Sequence, residues 1–243
     1  MKLLDVKQLC IDICNGKKRF PVVGNVSYSV NRGEILAVVG ESGCGKSISS
    51  LAIARLLDEK TTAVKAEHIL LNLENESIDI LNASKKELRR IRGGGIGYIF
   101  QEPAVSLNPV FTVGAQIIES LKLHRKDLKD FNAEAIRLLK SVGISDAEAR
   151  IKAYPHELSG GMQQRIIIAM ALAGNPQLLI ADEPTTALDV TVQAQILELI
   201  YKLCNFLIIC EDKTAARTAK SLVSSGGGNV CVGDRRGMCA CGN

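Results

Sequence analysis

One segment near the start of the chain has the residue types and spacing of a phosphate-binding loop. Its residues are Gly40, Glu41, Ser42, Gly43, Cys44, Gly45, Lys46 and Ser47, with Ile48 next. Glycines allow the backbone to curl until successive N–H groups face one point and bind phosphate oxygens. The lysine would reach the β- and γ-phosphates of a nucleotide, and the serine hydroxyl would ligate Mg²⁺. The segment therefore predicts a nucleotide site; the alternative is a glycine-rich turn that ends in Lys-Ser by chance.

Two adjacent carboxylates follow an apolar run later in the chain. The run 178–181 leads directly into Asp182 and Glu183. Asp182 would hold Mg²⁺ through its water shell, because this ion gives up its waters reluctantly. Glu183 could then polarise the attacking water as a general base. An isolated pair of this kind is usually a solvated strand end, but the phosphate loop in the same chain favours the catalytic interpretation.

The sequence also predicts the elements that must position these residues. Residues 1–34 alternate apolar and polar side chains, which is typical of antiparallel strands. The apolar run 35–40 predicts a strand that enters the phosphate loop, and 47–57 predicts the helix that leaves it, which begins a parallel α/β unit. The same patterns predict a helical middle (113–123, 133–144), a helix over 166–174, a strand over 177–184, a helix over 192–203 and a strand over 206–210.

Composition limits the class of protein. The chain has 243 residues, 47% of them hydrophobic and 23% charged, which is ordinary for a globular protein that buries its own core. The net charge of +4 is too small to predict nucleic-acid binding. No apolar run reaches the roughly 18 residues of a membrane span, and the first ten residues do not resemble a secretory signal. The eight cysteines are mostly scattered, and the late cluster of Cys231, Cys239 and Cys241 lacks metal-ligand spacing, so no metal or iron–sulfur site is predicted there.

A third motif lies about 20 residues before the carboxylate pair and resembles the signature of the ATP-binding cassette ATPases. It contains Ser159, Gly160, Gly161, Met162 and Gln163, with Met162 where the family usually has Gln. A serine and two glycines at the start of a helix offer hydroxyl and backbone donors to phosphate. The resemblance implies that this segment acts in trans, on nucleotide held by the phosphate loop of a partner subunit.

Further matches place the chain in one branch of that family. Gln101, in the run Phe-Gln-Glu-Pro, looks like the family's glutamine loop, whose Gln touches the metal or water and couples to the membrane partner. Asp189 looks like the D-loop aspartate, which contacts the opposite subunit. The surrounding runs are similar to the ATPases of peptide and nickel importers, and within that branch dipeptide or oligopeptide uptake is favoured.

The resemblance implies a fold, ligands and partners. The fold is α/β, of the phosphate-loop nucleoside triphosphatase class and ATP-binding cassette type. It has an N-terminal antiparallel β subdomain and an inserted helical subdomain that carries the signature. We expect one domain over 1–243, with its β subdomain and core in 1–100 and 175–230, the helical part in 101–174, and a loose tail over 231–243. ATP and Mg²⁺ are the implied ligands, with Ser47, Gln101 and Asp182 at the metal.

The implied partners are permease subunits, a second ATPase subunit that makes a homodimer or heterodimer, and indirectly a solute-binding protein. No nucleic acid is expected. The chain would then lie at the cytoplasmic face of the cell membrane, attached through the permease. A cassette protein that acts on ribosomes or DNA, and a module that binds nucleotide without hydrolysing it, are the rival classes.

Besides Met162, two positions depart from the family pattern. Glu211 stands where the family has a switch histidine, and an ionised carboxylate would repel a γ-phosphate to which imidazole can donate. Slow hydrolysis at the chain's own site follows as a hypothesis, with a sequence error over 204–243 as the competing explanation. The aromatic residue that stacks on adenine is also missing from its usual place, beside Ile13, and Phe20 is the nearest candidate; strand packing is its alternative role.

Overall fold

The computed structural model describes residues 1–101, 106–185, 188–203, 207–211, 229–234 and 237–238. Contacts divide the chain into two compact units, Met1–Arg89 with Asn205–Asn243, and Arg90–Cys204. Within the described parts, no helix is both long enough and apolar enough to cross a bilayer. The predicted subdomain boundaries at 101 and 175 stay predictions.

The first unit contains the predicted antiparallel sheet. Its strands run in the order β2-β1-β5-β6, with β4 also paired to β1. They are β1 (Lys2–Asn15), β2 (Lys18–Asn31), β4 (Thr62–Lys65), β5 (His68–Asn72) and β6 (Ser77–Asp79). Inward side chains of β1 and β2, such as Leu9, Ile11 and Val26, are fully buried. Buried and more exposed positions alternate with the predicted period of two over much of both strands, and register irregularities such as the one between Val6 and Leu9 interrupt the alternation.

The same unit contains the parallel strands that lead to the phosphate loop. Strand β3 (Ile35–Gly40) lies between β9 (Leu207–Glu211) and β10 (Asn229–Asp234), parallel to both, and β11 (Gly237–Met238) pairs with β10. All six residues of β3 are buried, as expected of a central parallel strand. Part of the predicted loose tail is therefore strand; residues 235–236 and 239–243, with Cys239 and Cys241, lie outside the described residues.

The helix after the phosphate loop is shorter than its predicted range. Helix α1 spans Lys46–Ile53, whereas the apolar pattern extended to residue 57. Arg55 has a φ of 50°, in the left-handed region, which cannot continue a helix. Its guanidinium donates to the carbonyl oxygens of Ile80 (3.3 Å) and Ala83 (3.0 Å), and these bonds fix the chain where it leaves the helix.

The second unit combines two parallel strands with a group of helices. Strand β7 (Ile96–Ile99) pairs with β8 (Leu178–Asp182) in parallel. The helices are α2 (Lys85–Gly94, which begins in the first unit), α3 (Val113–His124), α4 (Phe131–Ser141), α5 (Ala147–Arg150), α6 (Gly160–Leu172) and α7 (Val190–Leu203). Helix α2 contains non-helical residues at Arg92 and Gly93, so it breaks just before β7.

Gly97 lets strands β7 and β8 approach the end of α6. A Cβ atom at this position would lie 2.6 Å from the carbonyl oxygen of Ala171 and 2.9 Å from Cδ1 of Leu179. Contacts of that length with a backbone atom cannot be relieved by a side-chain rotation. Close packing at Gly97 therefore helps set the position of β8, which ends in Asp182.

We expect Gly97→Ala to destabilise the protein, because the added methyl group forces the backbone of β7 away from α6. The free energy of unfolding should fall by about 2 kcal/mol, which for a chain of this length lowers Tm by roughly 4–8 °C. Gly24→Ala is the matched control, since a Cβ at Gly24 meets no atom within 4 Å. Equal Tm values for the two variants in thermal unfolding would contradict this account of Gly97.

Candidate functional site

The phosphate loop curls between β3 and α1 as its glycines require. Gly43 and Gly45 have φ values of 82° and 95°, which L side chains rarely adopt. A Cβ on Gly45 would also lie 2.9 Å from Cγ2 of Val23 and 3.1 Å from the carbonyl oxygen of Val22. Strand β2 therefore packs directly against the loop, and glycine is needed at this position for both conformation and space.

Lys46 is held inside the loop by backbone oxygens. Its side chain is buried, and Nζ donates to the carbonyl oxygens of Gly40 (3.0 Å) and Glu41 (3.1 Å). The loop itself thus positions the Lys46 amine, which the sequence assigns to phosphate, at the N-terminus of α1. Ser47 and Ile48, the next two residues of the predicted site, lie in the first turn of this helix and are partly exposed.

The rest of the loop lines an open pocket. Glu41, Ser42, Gly43 and Cys44 surround a volume of about 620 Å³. The Cys44 N–H donates to the carbonyl oxygen of Glu41 (3.2 Å), which closes a tight turn, and the Cys44 side chain is buried. The pocket lies at the start of a helix, and glycine-rich loops in this position bind phosphate through backbone N–H groups, so the residues present fit a bound phosphate chain.

Phe20 lies on the hairpin that packs against the loop. Its side chain is 51% exposed, and it pairs across the hairpin with Ile13. Two residues later β2 reaches Val22, whose carbonyl oxygen faces Gly45. The Phe20 ring, two residues before Val22, is not buried in the core, and this position is compatible with the predicted stacking role.

The backbone also places Glu211 near the loop. In the parallel pairing of β3 with β9, Glu211 is in register with Val39, one residue before Gly40. It is the last residue of β9, at the edge of the sheet where β3 turns into the phosphate loop. The predicted switch position therefore sits at the carboxyl end of the strand next to β3, where α/β sheets bind ligands.

In the second unit, the two predicted carboxylates lie at the end of a fully buried strand. Asp182 is the last residue of β8, and the Tyr98 hydroxyl donates to its Oδ2 over 3.4 Å. Glu183 follows with a φ of 45°, an uncommon conformation for a residue with a side chain. The Gln101 Nε2 donates to Oε2 of Glu183 over 2.7 Å. The structure thus brings together Gln101 and Glu183, which are 82 residues apart in the sequence; Glu102 and Pro103 lie outside the described residues.

The signature residues form the exposed start of α6. The hydroxyl of Ser159 accepts from the N–H of Met162 (3.4 Å), so Ser159 is the N-cap of the helix. Ser159 and Gly160 are exposed, and a Cβ on Gly160 would meet nothing within 4 Å. On Gly161, by contrast, a Cβ would lie 3.3 Å from Cγ1 of Val192. The outer part of the signature is therefore open to another molecule, while its inner part packs on α7.

One hydrogen-bond pattern that the sequence does not predict occurs three times among the described residues of this unit. Four residues after the N-cap of α3, α6 and α7 stands a glutamine whose Nε2 donates to two carbonyl oxygens of the preceding turn. Gln116 bonds Asn108 and Phe111, Gln163 bonds Pro155 and Leu158, and Gln193 bonds Thr185 and Leu188, all over 2.9–3.2 Å. The signal in the sequence is a Thr, Ser or Asp followed four residues later by Gln, but that spacing alone is too common to predict these bonds.

Asp189, the predicted D-loop residue, belongs to the third of these turns. Its carbonyl oxygen accepts the N–H groups of Val192 (2.8 Å) and Gln193 (2.9 Å), so it begins α7, and its side chain is exposed. Thr186 and Ala187, between the carboxylates and Asp189, lie outside the described residues. The predicted site residues thus divide into two groups by unit: the phosphate loop, Phe20 and Glu211 belong to the first, and Gln101, the two carboxylates, the signature and Asp189 belong to the second.

A buried parallel strand, a glycine loop that holds a lysine, and a strand ending in two carboxylates define a nucleotide-binding α/β protein of the phosphate-loop class. A family model described as ABC transporter matches residues 23–186 of the chain. The match covers more than half of the sequence, and the chain belongs to the ABC transporter family.

Relatives and solved structures agree with this membership. The dipeptide transport ATP-binding protein of Haemophilus influenzae is 52% identical over 204 residues, which is 84% of this chain and 60% of that protein. The glutathione import ATP-binding protein of Escherichia coli K12 is 48% identical over 82% of this chain and 32% of its own length. The chain thus spans at most about three fifths of either relative.

Among solved structures, the ATP-binding cassette MJ0796 is similar across nearly the whole chain. Its dimeric form bound to ADP and Pi superposes with a TM-score of 0.76 at 25% identity, covering 95% of this chain and 94% of the cassette. The predicted fold class, an ABC-type α/β ATPase domain, is confirmed by this likeness together with the family match.

We expect Phe20→Ala to weaken ATP binding, because an exposed ring beside the phosphate loop would lose its stacking contact with adenine. An aromatic stacking contact contributes about 0.5–1.5 kcal/mol, so Kd should rise roughly three- to tenfold. Titration with a fluorescent ATP analogue measures this, and Phe111→Ala, an exposed ring in the other unit, is the control. Identical affinities for the two variants would assign Phe20 to strand packing alone.

Proposed function

We propose that the chain is the ATP-binding and ATP-hydrolysing subunit of an importer that takes up dipeptides or oligopeptides. The observation that carries the proposal is the hydrogen bond from Gln101 to Glu183 at the end of β8, beside Asp182. The bond joins an amide and a carboxylate, the two groups to which we assign the attacking water. The names of the relatives, which are import ATP-binding proteins for dipeptides, peptides and glutathione, support peptides as the cargo. A nickel or other small-solute importer of the same branch is the alternative.

ATP and Mg²⁺ are the ligands that this site would take. Lys46 and the backbone of Gly40–Ser47 would hold the phosphates, with Phe20 against the base, and Ser47, Gln101 and Asp182 would hold the metal. When bound, Mg²⁺ neutralises charge on the β- and γ-phosphates. The fit rests on the glycine conformations and on the buried Lys46 amine, which exchanges carbonyl partners for the stronger anionic acceptors of a phosphate.

In this proposal the residues of the chain position the reacting groups and accept one proton. Glu183 accepts a proton from the attacking water, while the Gln101 amide fixes the orientation of its carboxylate. Lys46 supplies positive charge where negative charge accumulates on the phosphate. The backbone conformation of Glu183, with its positive φ, shows that the surrounding turn holds this residue in place at some cost in strain.

A second cassette would complete the site. The exposed Ser159 and Gly160 at the start of α6 offer a hydroxyl and helix N–H groups to nucleotide bound by a partner subunit. Asp189, also exposed, would contact the same partner. The solved cassette MJ0796, which is similar to this chain, is itself dimeric.

Permease subunits would bind the second unit and hold the chain at the cytoplasmic face of the membrane. Val110, Phe111 and Tyr154 expose 70%, 55% and 40% of their surface. The N–H of Val113 donates to the carbonyl oxygen of Ala153 (2.9 Å), which joins the two segments that carry these side chains. An exposed apolar patch of this kind, just downstream of Gln101, suits a cytoplasmic helix of a membrane subunit. A solute-binding protein would act only through that permease.

Glu211 favours one second candidate, a nucleotide-binding partner subunit with impaired hydrolysis. Its register beside Val39 puts an acidic residue at the edge of the sheet that faces the phosphate loop. Imidazole there donates a hydrogen bond to phosphate, whereas a carboxylate only accepts one. In this second candidate function, the signature of the chain still contacts ATP at the site of a different cassette, which hydrolyses it.

The first test removes the general base without changing its shape. Glu183→Gln should lower kcat for ATP by at least about 100-fold, with ATP affinity kept within about threefold because the phosphate contacts are intact. Lys46→Ala should instead abolish binding. ATPase assays on purified protein with its partner subunits measure turnover, titration with a fluorescent ATP analogue measures binding, and Glu119→Gln on α3 is the control. Normal turnover by Glu183→Gln would overturn the proposed hydrolytic role of this carboxylate.

The second test restores the family's histidine. Glu211→His should raise kcat about tenfold or more, because a phosphate donor replaces a repelling carboxylate. Glu198→His, on the exposed face of α7, is the matched control and should leave turnover unchanged. If the unaltered chain already hydrolyses ATP as fast as Glu211→His, the hypothesis of an impaired site is wrong.

A further inference from the structure

The turn between the catalytic carboxylates and the D-loop aspartate is held from outside by one side chain. Gln193, on the first turn of α7, donates from Nε2 to the carbonyl oxygens of Thr185 (3.2 Å) and Leu188 (3.1 Å). The N–H of Leu188 also donates to the Thr185 oxygen over 3.1 Å. That carbonyl therefore uses both lone pairs, one within the turn and one toward the helix.

Glu183 lies next to the Thr185 end of this turn. Glu183 is two residues before Thr185, and its φ of 45° is a conformation that persists only where neighbouring contacts impose it. Thr185 is 1% exposed, so the end of the turn near Glu183 is anchored in the interior. On the other side, the carbonyl oxygen of Asp189 accepts the N–H groups of Val192 and Gln193. The amide of Gln193 thus ties both ends of the turn to the start of α7.

From these contacts we propose that Gln193 is a positioning residue for ATP hydrolysis. It holds the carbonyl oxygens of Thr185 and Leu188, and thereby sets the orientation of Glu183 and the position of Asp189 relative to each other. It acts through these backbone contacts. The proposal rests on the ATPase function proposed above and adds to it the part that α7 takes in the catalytic step.

The chain provides its own matched control. Gln116 makes the same pair of bonds at the start of α3, to the carbonyl oxygens of Asn108 (3.0 Å) and Phe111 (3.1 Å). That turn contains none of the carboxylates, and Gln116 is more deeply buried than Gln193. Loss of the Gln116 bonds should therefore cost at least as much stability as loss of the Gln193 bonds, with no direct effect on Glu183.

The experiment compares Gln193→Met, which keeps the volume and removes the donor, with Gln193→Arg, which keeps N–H donors. Gln193→Met should lower kcat for ATP about tenfold, because displacing a catalytic group by a fraction of an ångström has effects of this size or larger. KM for ATP should change less than about twofold, since the phosphate contacts are intact. Gln193→Arg should recover most of the lost kcat, and Gln116→Met should lower Tm while leaving kcat unchanged.

Hydrogen exchange provides a second measurement. The amide of Leu188 should exchange faster in Gln193→Met than in the unaltered protein, and Gln116→Met should leave it unchanged. Unaltered kcat and unaltered Leu188 exchange in Gln193→Met would overturn the positioning role, and so would equal losses of kcat in Gln193→Met and Gln116→Met. An unaltered protein that shows no ATP turnover with any partner would instead overturn the proposed function itself.

Discussion

The register of one buried strand determines where the first group of site residues lies. Strand β3 has no exposed residue and pairs in parallel on both sides, so it cannot slide without losing two ladders of hydrogen bonds. Its carboxyl end is fixed beside Glu211 on β9 and Gly233 on β10. The phosphate loop begins at that end, and the tight contact of Gly45 with Val22 and Val23 then leaves it little freedom.

Much of this group could be predicted from local sequence. The phosphate loop follows from the spacing of three glycines, a lysine and a serine, and the strand and helix around it from apolar runs. The carboxylate pair is predicted in the same way, because Asp182 directly ends an apolar run. These features depend on neighbours in sequence, which a reader of the sequence can see.

What could not be predicted depends on contacts between distant residues. The early end of α1 follows from the bonds of Arg55 to Ile80 and Ala83, about 25 residues away. The strands of 62–79 were not predicted, because each is short and gains its stability by pairing with β1 or with one another. The bond from Gln101 to Glu183 spans 82 residues; the resemblance singled out both residues, but only the structure shows that they meet.

In both groups of site residues, a charged side chain hydrogen-bonds to a backbone carbonyl or a side-chain amide. Before the ligand binds, a charged side chain of the site needs other hydrogen-bond partners, because a buried charge without a partner is costly. Lys46 donates to two carbonyl oxygens, and the amide of Gln101 donates to Glu183. Each of these contacts fixes the direction of a charged group through a neutral partner, which does not cancel its charge. The glutamines at the starts of α3, α6 and α7 bind the backbone in the same way. Each side-chain amide donates to the carbonyl oxygens of a turn, and the exposed residues beside that turn stay accessible to another molecule.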